Sequence, residues 1–374
     1  MENLLPALLT TKTRVPLLRR GLVRRKDLIQ RLSRERDHAL TIVRAPAGYG
    51  KSTLLQQWAL DDARLFAWVQ LDPSDNDPVL FWRYVLAALR VQVPGLAESA
   101  WRRLASPAPD LDAAITDLLN ELLDGPEELV LVLDDYHVID NPECHRTITF
   151  FIDHVAQNTQ VVLATRGRLP FSVSRLIARG SVTEIRRRDL EFTPVETAAA
   201  VRLRAPAASD ETVSRIRERT EGWPVGVYLA TWNLDTDASV AIGESEAATV
   251  TQRYLIDEML SHLDDEDRAF VRETSILERL SGNLCDHVTG RTDSSEILAR
   301  LESANLLLIP LDDVGHWYRY HHLLQEILRA DLRDDSCTDE SMLHIRASDW
   351  FLRHDDASLA IHHAIESGGL MTAG

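Results

Sequence analysis

The chain of 374 residues is long enough for two or three domains, and its hydrophobic fraction of 45% is ordinary for a globular protein. No apolar stretch reaches the roughly 18 to 20 residues of a membrane-spanning helix, and the N-terminus lacks the features of a signal peptide. The formal net charge of −17 argues against a broad nucleic-acid-binding surface. Three scattered cysteines form neither a disulfide framework nor a zinc-binding spacing. We therefore expect a cytoplasmic protein without membrane contact.

The N-terminal segment is basic within this acidic chain. We predict an arm over residues 1–38 that ends in a short helix at 25–33. Residues 12–36 contain ten basic and two acidic side chains. Such an arm could contact a nucleotide phosphate or a partner, or it could be the solvated face of a helix. The sequence leaves both interpretations open.

Strands and helices alternate between residues 39 and 193. Short, continuously apolar segments are predicted as strands at 40–43, 66–71, 129–133, 160–164 and 182–185. Helical patterns lie between them, including 79–91 and 113–123. Apolar strands that alternate with helices favour a parallel sheet covered on both faces.

The segment from Ala45 to Ser52, with sequence APAGYGKS, joins the first predicted strand to a helical run. Strand, glycine loop, Lys-Ser and helix are the parts of a phosphate-binding P-loop, although Ala45 replaces its usual first glycine. Gly48 and Gly50 would let the loop amides converge on phosphate at a helix N-terminus. Lys51 would reach the β- and γ-phosphates, and Ser52 would bind Mg²⁺. An ordinary strand-to-helix turn is the alternative. The predicted nucleotide contacts of this loop are Ala47, Gly48, Tyr49, Gly50, Lys51, Ser52 and Thr53.

Two carboxylates follow the third predicted strand, where ligands bind in an open parallel sheet. Asp134 would hold Mg²⁺, and Asp135 could polarise the attacking water. The structural alternative is an Asp-Asp turn after a core strand. The fourth predicted strand ends in Thr165-Arg166, and Arg166 could sense a γ-phosphate or could simply lie on the surface.

The strand pattern stops at residue 193. Thr193, Pro194 and Glu196 predict the start of a helix, because they supply an N-cap, a first-turn proline and a capping box. Helical pattern continues beyond them, interrupted by an acidic connection at 235–248. A later hairpin, with strands at 306–309 and 317–320 around a turn at 312–315, indicates a winged helix. Two further helices over 341–368 resemble one repeat of a solenoid.

The predicted fold class is α/β: a P-loop NTPase parallel sheet covered by helices, followed by a helical domain, a winged helix and the start of an α-solenoid. We place the boundaries by the changes in pattern described above. The predicted domains are an N-terminal arm at 1–38, a P-loop NTPase domain at 39–193, a helical domain at 194–255, a winged-helix domain at 256–335 and the start of a truncated helical-repeat domain at 336–374.

Two motifs in the second half of the chain have open interpretations. In Gly222-Trp223-Pro224, the rigid proline turn could pack on an adenine or ribose, or it could be a helix break. In His321-His322, one imidazole could contact a phosphate, or both could be structural. Adjacent histidines on a helix do not face the same way, so they do not predict a shared metal.

These motifs together resemble the STAND-class signalling ATPases, and within them the MalT-like, large ATP-binding branch of the LuxR-type transcription regulators. The resemblance covers nearly the whole chain. The family's own P-loop usually begins with alanine, so Ala45 departs only from the general pattern. The matching segments are Val23-Arg24 with Leu28 and Leu32, the P-loop at 45–52, Leu71 to Asn76, Leu133 to His137, Ala164 to Arg166, Gly222 to Pro224, and Tyr318 to Leu323.

The resemblance implies a signal-transduction switch that uses ATP or ADP and Mg²⁺. ADP would lie between the P-loop domain and the winged helix, with His321 at the β-phosphate and Pro224 near the base. Val23 and Arg24 would add contacts ahead of the P-loop. Exchange for ATP, promoted by an unknown inducer, would permit self-association, and slow hydrolysis involving Asp135 would reset the switch.

Full-length relatives carry a long solenoid and a C-terminal helix-turn-helix that binds DNA, and neither continues here beyond one hairpin. We therefore expect no direct DNA binding from this chain, and the acidic character of residues 255–340 also disfavours it. The alternative function is a stand-alone P-loop ATPase or kinase acting on a small substrate. The sequence offers no candidate acceptor site for that reaction.

Overall fold

The computed structural model describes residues 8–125, 128–232, 260, 263–303, 308–312, 316–334 and 338–368. The chain forms two compact units, Met1–Glu191 and Phe192–Gly374, and each is described by itself. The predicted acidic connection at 235–248 and residues 313–315 of the predicted hairpin turn lie outside the described residues. The five domain boundaries given above remain predictions.

A parallel sheet forms the centre of the first unit. Its strands are β1 (Leu40–Arg44), β2 (Leu65–Gln70), β3 (Leu129–Asp134), β4 (Thr159–Thr165) and β5 (Val182–Arg186). Their order across the sheet is β2-β3-β4-β1-β5, and every neighbouring pair is parallel. The predicted strands are confirmed, each to within one residue at its ends.

Burial along the central strands shows that both faces of the sheet are covered. Every residue of β3 and of β4 is buried. Because successive side chains in a strand point to opposite faces, unbroken burial requires a cover on each side. The helices of this unit are α1 (Lys26–Arg34), α2 (Lys51–Asp61), α3 (Pro78–Gln92), α4 (Glu98–Leu104), α5 (Leu111–Leu123), α6 (Pro142–His154), α7 (Ser174–Ala178) and α8 (Arg187–Leu190).

Local sequence explains where several of these helices begin. The Asp77 side chain accepts a hydrogen bond from the Leu80 amide, and Pro78 occupies the first turn of α3. Asp110 caps α5 in the same way through the Ala113 amide. These side chains satisfy amide groups that have no partner within the helix.

The N-terminal arm is packed against the first unit through a buried lysine. The Lys12 ammonium forms ion pairs with Asp75 and, at 3.0 Å, with Asp72. It also lies 4.3 Å from the centre of the Tyr84 ring. Burial lowers the pKa of Lys12, but the hydrogen bonds to Asp75 and Asp72 outweigh that effect and leave it raised. Lys12 therefore anchors the arm to the loop after β2 and does not belong to a solvated face.

Among its described residues, the second unit contains helices and one short hairpin. The capping box that predicted the start of its first helix is present, with Thr193 and Glu196 each bonding the other's backbone amide. Its strands β6 (Leu308–Pro310) and β7 (Tyr318–Tyr320) pair antiparallel. Its helices are α9 (Pro194–Arg204), α10 (Asp210–Thr220), α11 (Pro224–Trp232), α12 (Asp265–Glu273), α13 (Gly282–Thr289), α14 (Ser294–Ser303), α15 (His322–Asp334), α16 (Glu340–Arg353) and α17 (Ala357–Glu366).

The last two helices form a hairpin around a pair of buried histidines. The Nδ1 atoms of His344 in α16 and His363 in α17 lie 2.9 Å apart. His363 is fully buried and stacks on the ring of Phe351 at a centroid distance of 5.5 Å. Within the described part of the chain, no helix has the length and apolarity to cross a membrane.

Candidate functional site

The loop between β1 and α2 has the backbone that a P-loop requires. Gly48 and Gly50 have φ angles of +76° and +79°, a left-handed conformation that side chains disfavour. Gly50 is the N-cap of α2, so the loop runs directly into a helix N-terminus. Ala45 is not among the residues with positive φ, and its amide donates to the Thr165 carbonyl at 3.2 Å. The loop therefore needs no glycine at its first position.

Lys51 is held inside this loop. Its side chain is 7% exposed, and its ammonium donates to the carbonyls of Ala45 at 2.8 Å and Pro46 at 3.1 Å. Burial lowers the pKa of Lys51 to about 8, although the negative charge of Asp135, and to a lesser extent that of Asp134, opposes this effect. Arg166 repels the same ammonium and adds to the lowering. An anion in the loop would restore the stability of the charged form.

Asp134 ends β3 as a fully buried carboxylate. One oxygen, Oδ1, accepts a hydrogen bond from the Asp135 amide at 3.1 Å, whereas the buried Oδ2 has no hydrogen-bond donor. Burial, together with the neighbouring Asp135 charge, raises the pKa of Asp134 to about 6, while the Ser52 hydroxyl and the Lys51 ammonium oppose the rise. A buried carboxylate beside a serine hydroxyl is a suitable pair of ligands for a hard cation such as Mg²⁺.

Asp135 has an unusual backbone and a partner that the sequence did not suggest. Its φ of +56° is rare for a residue with a side chain and is often found at functional positions. Gln70, the last residue of β2, donates a hydrogen bond from Nε2 to Asp135 Oδ2 at 2.6 Å. The Nδ1 atom of His137 lies 3.8 Å from Asp135 Oδ1. The hydrogen bond from Gln70 fixes the direction of the carboxylate.

Strand β4 lies between the strand that precedes the P-loop and the strand that precedes the two aspartates. Its last residue, Thr165, pairs with Arg44 of β1, and Arg166 follows directly. Arg166 is half-buried, and its charge reaches Lys51. The structure thus brings Lys51, Ser52, Asp134, Asp135 and Arg166 together at the carboxyl edge of the sheet.

The residues predicted to contact nucleotide ahead of the P-loop have different environments. Val23 is buried, and its carbonyl accepts a hydrogen bond from Gln57 Nε2 of α2 at 2.9 Å. Arg24 is exposed and pairs with Asp61 at the end of α2. Arg25, which sequence reasoning missed, is 5% exposed and donates to the Leu190 carbonyl at 2.8 Å. Arg25, rather than Arg24, therefore makes the buried side-chain contact of this segment with the core.

The two nucleotide-binding motifs predicted in the second unit contact each other. Trp223, between Gly222 and the first residue of α11, packs edge-on against His321 at a centroid distance of 5.6 Å. The Nε2 atom of His321 lies 3.1 Å from the Thr220 carbonyl oxygen. Pro224 is buried and His321 is fully buried.

An ion pair joins the same two segments. Glu221, which has a φ of +49°, accepts hydrogen bonds from Arg319 of β7 at 2.7 Å on Oε1 and 2.6 Å on Oε2. Burial raises the pKa of Glu221, but the hydrogen bonds from Arg319 and the charges of His321 and Arg319 prevail and lower it to about 2. Neither residue of this pair was singled out from the sequence, because they are separated by 98 positions.

Comparisons with known proteins agree with this architecture. Residues 256–340 match the MalT winged helix domain family. The chain is 32% identical over 366 residues to the HTH-type transcriptional regulator MalT of Serratia proteamaculans, a match covering 96% of this chain and 40% of that protein. The MalT of Klebsiella pneumoniae is 30% identical over 370 residues, with 96% and 41% covered. The chain thus spans about two fifths of the length of these relatives.

A solved structure shares the fold. The Walker-type ATPase of Pyrococcus abyssi matches with a TM-score of 0.57 at 12% identity, covering 84% of this chain and 98% of that chain. The predicted fold class and the winged helix are therefore confirmed. The chain is MalT-like, combining a P-loop NTPase fold with a MalT winged helix domain.

Proposed function

We propose that this chain is the ATP- and ADP-binding switch portion of a MalT-like transcription regulator and that it hydrolyses ATP slowly. The observation that carries the proposal is the convergence of Lys51, Ser52, Asp134 and Asp135 at one edge of the sheet. A polyphosphate with Mg²⁺ requires partners of both charges. The lysine ammonium is the positive partner of the phosphates, and the two carboxylates and the hydroxyl are partners for the cation and its water.

The residues present fit such a ligand. Lys51 donates to two backbone carbonyls, which are weaker acceptors than a phosphate anion would be. Asp134 Oδ2 is buried without a donor, an arrangement that a cation would stabilise. The described residues contain no group of three or more His, Cys, Asp or Glu side chains able to hold a metal. A cation would therefore depend on Ser52, Asp134, water and the phosphates themselves, which is usual for Mg²⁺.

We assign separate roles to the remaining polar groups. Asp135 orients the attacking water and accepts its proton, because its carboxylate is fixed by Gln70. Arg166 stabilises negative charge at the phosphate end of the nucleotide. Ser52 and Asp134 would hold a Mg²⁺ ion, which would supply positive charge to neutralise the phosphates. The loop amides at 47–53 hold the phosphates, and Tyr49 takes part only through its backbone because its ring is buried.

Pro224 and His321 are the proposed contacts of the second unit with the base and the β-phosphate. Both are buried, so ligand binding or release requires their surroundings to rearrange. A site that must open to exchange its ligand suits a slow switch better than a fast enzyme. Response to an inducer, self-association and control of transcription are proposed for the whole regulator.

The test is to identify the nucleotide that remains bound through purification. The protein is denatured and its released nucleotides are separated by chromatography, with Lys51→Met as the matched control. We expect stoichiometric ADP from the wild-type protein and none from the variant. Absence of any adenine nucleotide, combined with no ATP or ADP binding by calorimetry, would overturn the proposal.

Steady-state measurements separate the switch from a metabolic enzyme. We expect turnover of ATP well below one per second, since chemistry serves only to reset the switch. Rapid turnover that depends on a small phosphate acceptor would favour a kinase instead.

A further inference from the structure

The turn between α10 and α11 is fastened to the end of β7 by several different contacts. Glu221 and Arg319 form the bidentate pair described above, and the His322 amide donates to the same carboxylate at 3.4 Å. The imidazole of His321 lies against the Thr220 carbonyl and the Trp223 ring. Together these contacts connect residues 220–223 and residues 319–322 into one block.

The block holds a strained backbone in place. Glu221 has a left-handed backbone conformation, with a φ of +49°, which residues with a side chain rarely adopt. Such a conformation persists only where the surrounding contacts determine it. Here the Arg319 guanidinium donates two hydrogen bonds to the Glu221 carboxylate, and the Phe192 amide donates to the carbonyl of the next residue, Gly222, at 2.7 Å.

The pair is charged and partly shielded from solvent. The side chains of Arg319 and Glu221 are 28% and 20% exposed. Two parallel hydrogen bonds fix the angle between a guanidinium and a carboxylate as well as their distance. A lysine at position 319 could supply the charge but not that angle.

We propose that Glu221 and Arg319 are positioning residues that fix His321 relative to Pro224, so that the two bind the phosphate and base of one adenosine diphosphate. The inference rests on the proposed function, because it assumes that both His321 and Pro224 contact the nucleotide. Neither charged residue touches the ligand. Their effect on binding is transmitted entirely through the placement of His321.

A second ion pair, between the adjoining helices α10 and α15, provides a matched control. Arg219 at the end of α10 pairs with Glu326 of α15 at 2.7 Å, and the Glu326 side chain is 49% exposed. An exposed pair contributes little and does not fix a buried imidazole. Glu326→Gln therefore removes a charge from the same junction without disturbing His321.

The experiment measures ADP affinity and dissociation rate for the wild-type chain and for Glu221→Gln, Arg319→Lys, His321→Ala, Glu326→Gln and the double variant Glu221→Gln/His321→Ala. We expect about tenfold weaker ADP binding for Glu221→Gln and for His321→Ala. Arg319→Lys should show a smaller loss, and Glu326→Gln should match the wild type. The double variant should bind no more weakly than His321→Ala alone, because the pair acts only through His321.

The outcomes distinguish the inference from the function on which it rests. A wild-type chain that does not bind ADP would overturn the proposed function. Normal binding by Glu221→Gln, or fully additive losses in the double variant, would overturn the inference while leaving nucleotide binding intact. Melting curves of the ADP-free proteins identify variants that fail to fold. If Glu221→Gln fails to fold, the ADP affinity of Arg319→Lys supplies the deciding measurement.

Discussion

The side-chain amide of Gln70 donates a 2.6 Å hydrogen bond to Asp135, joining the ends of two neighbouring strands at the edge where the P-loop also lies. The contact orients the Asp135 carboxylate through a neutral donor.

Replacing Gln70 by glutamate should slow ATP hydrolysis at neutral pH by about tenfold or more, because a second carboxylate beside Asp135 raises the pKa of the pair. Lowering the pH should partly restore the rate, since the introduced carboxyl group can donate the lost hydrogen bond once it is protonated. Gln70→Met should be slow at every pH. Single-turnover rates between about pH 6 and 8 test this, and identical pH profiles for the three proteins would contradict it.

Replacing Lys51 by Met should abolish nucleotide binding, with affinity lowered more than about a hundredfold, because the buried charge partner of the phosphates is removed. The same change should not destabilise the ligand-free protein, since a methionine of similar length avoids burying a charge. Calorimetry with ADP and a melting curve check the two halves of the prediction. Unchanged ADP affinity would refute the assignment of Lys51.

Replacing Asp135 by Ala should slow single-turnover hydrolysis by about a hundredfold while leaving ATP affinity within a few fold, because the proposed role of Asp135 is to act on water and not on the phosphates. Asp134→Ala provides the contrast. It should weaken Mg²⁺-dependent binding itself, because Asp134 is the proposed metal ligand. Equal rates for Asp135→Ala and the wild type would exclude Asp135 as the base.

The C-terminal hairpin of α16 and α17 should be sensitive to acid. Burial, followed by the charges of His344, His362 and Arg329, lowers the pKa of His363 to about 3. The unfolded chain takes up this proton near pH 6.5 and the folded chain does not, so stability falls as the pH drops below about 6.5. The loss should reach about 2 kcal/mol at about pH 5.

Hydrogen exchange of the α17 amides at about pH 7 and pH 5, corrected for intrinsic rates, measures that loss. His363→Gln keeps a polar partner for His344 but cannot titrate, so it should remove most of the difference. An equally large difference in the variant would assign the acid sensitivity to other groups.

Much of the fold could be predicted because its signals are local. Strand β3 is a run of apolar residues that ends in two carboxylates, and α9 begins at a capping box, so each element is visible within a few residues. The P-loop was predictable for the same reason. Its glycines at 48 and 50 have the left-handed backbone that their presence indicated.

The residues that were missed act across long separations. Gln70 reaches Asp135 over 65 positions only because β2 and β3 are neighbours in the sheet. Arg25 reaches Leu190 over 165 positions, and nothing in the basic run 24–26 distinguishes it from Arg24. Glu221 and Arg319 likewise look like ordinary surface charges until the fold brings them together.

The buried Lys12 has a practical consequence for handling this protein. Proteolytic trimming that spares Lys12 would leave its ion pairs with Asp75 and Asp72 intact. A cut beyond residue 12 would leave the fully buried Asp75 carboxylate without its counter-ion, a costly arrangement that opening of the loop after β2 would relieve. Because that loop directly follows Gln70, a clipped sample would lose activity in a way that mimics a mutation of Asp135, the proposed base.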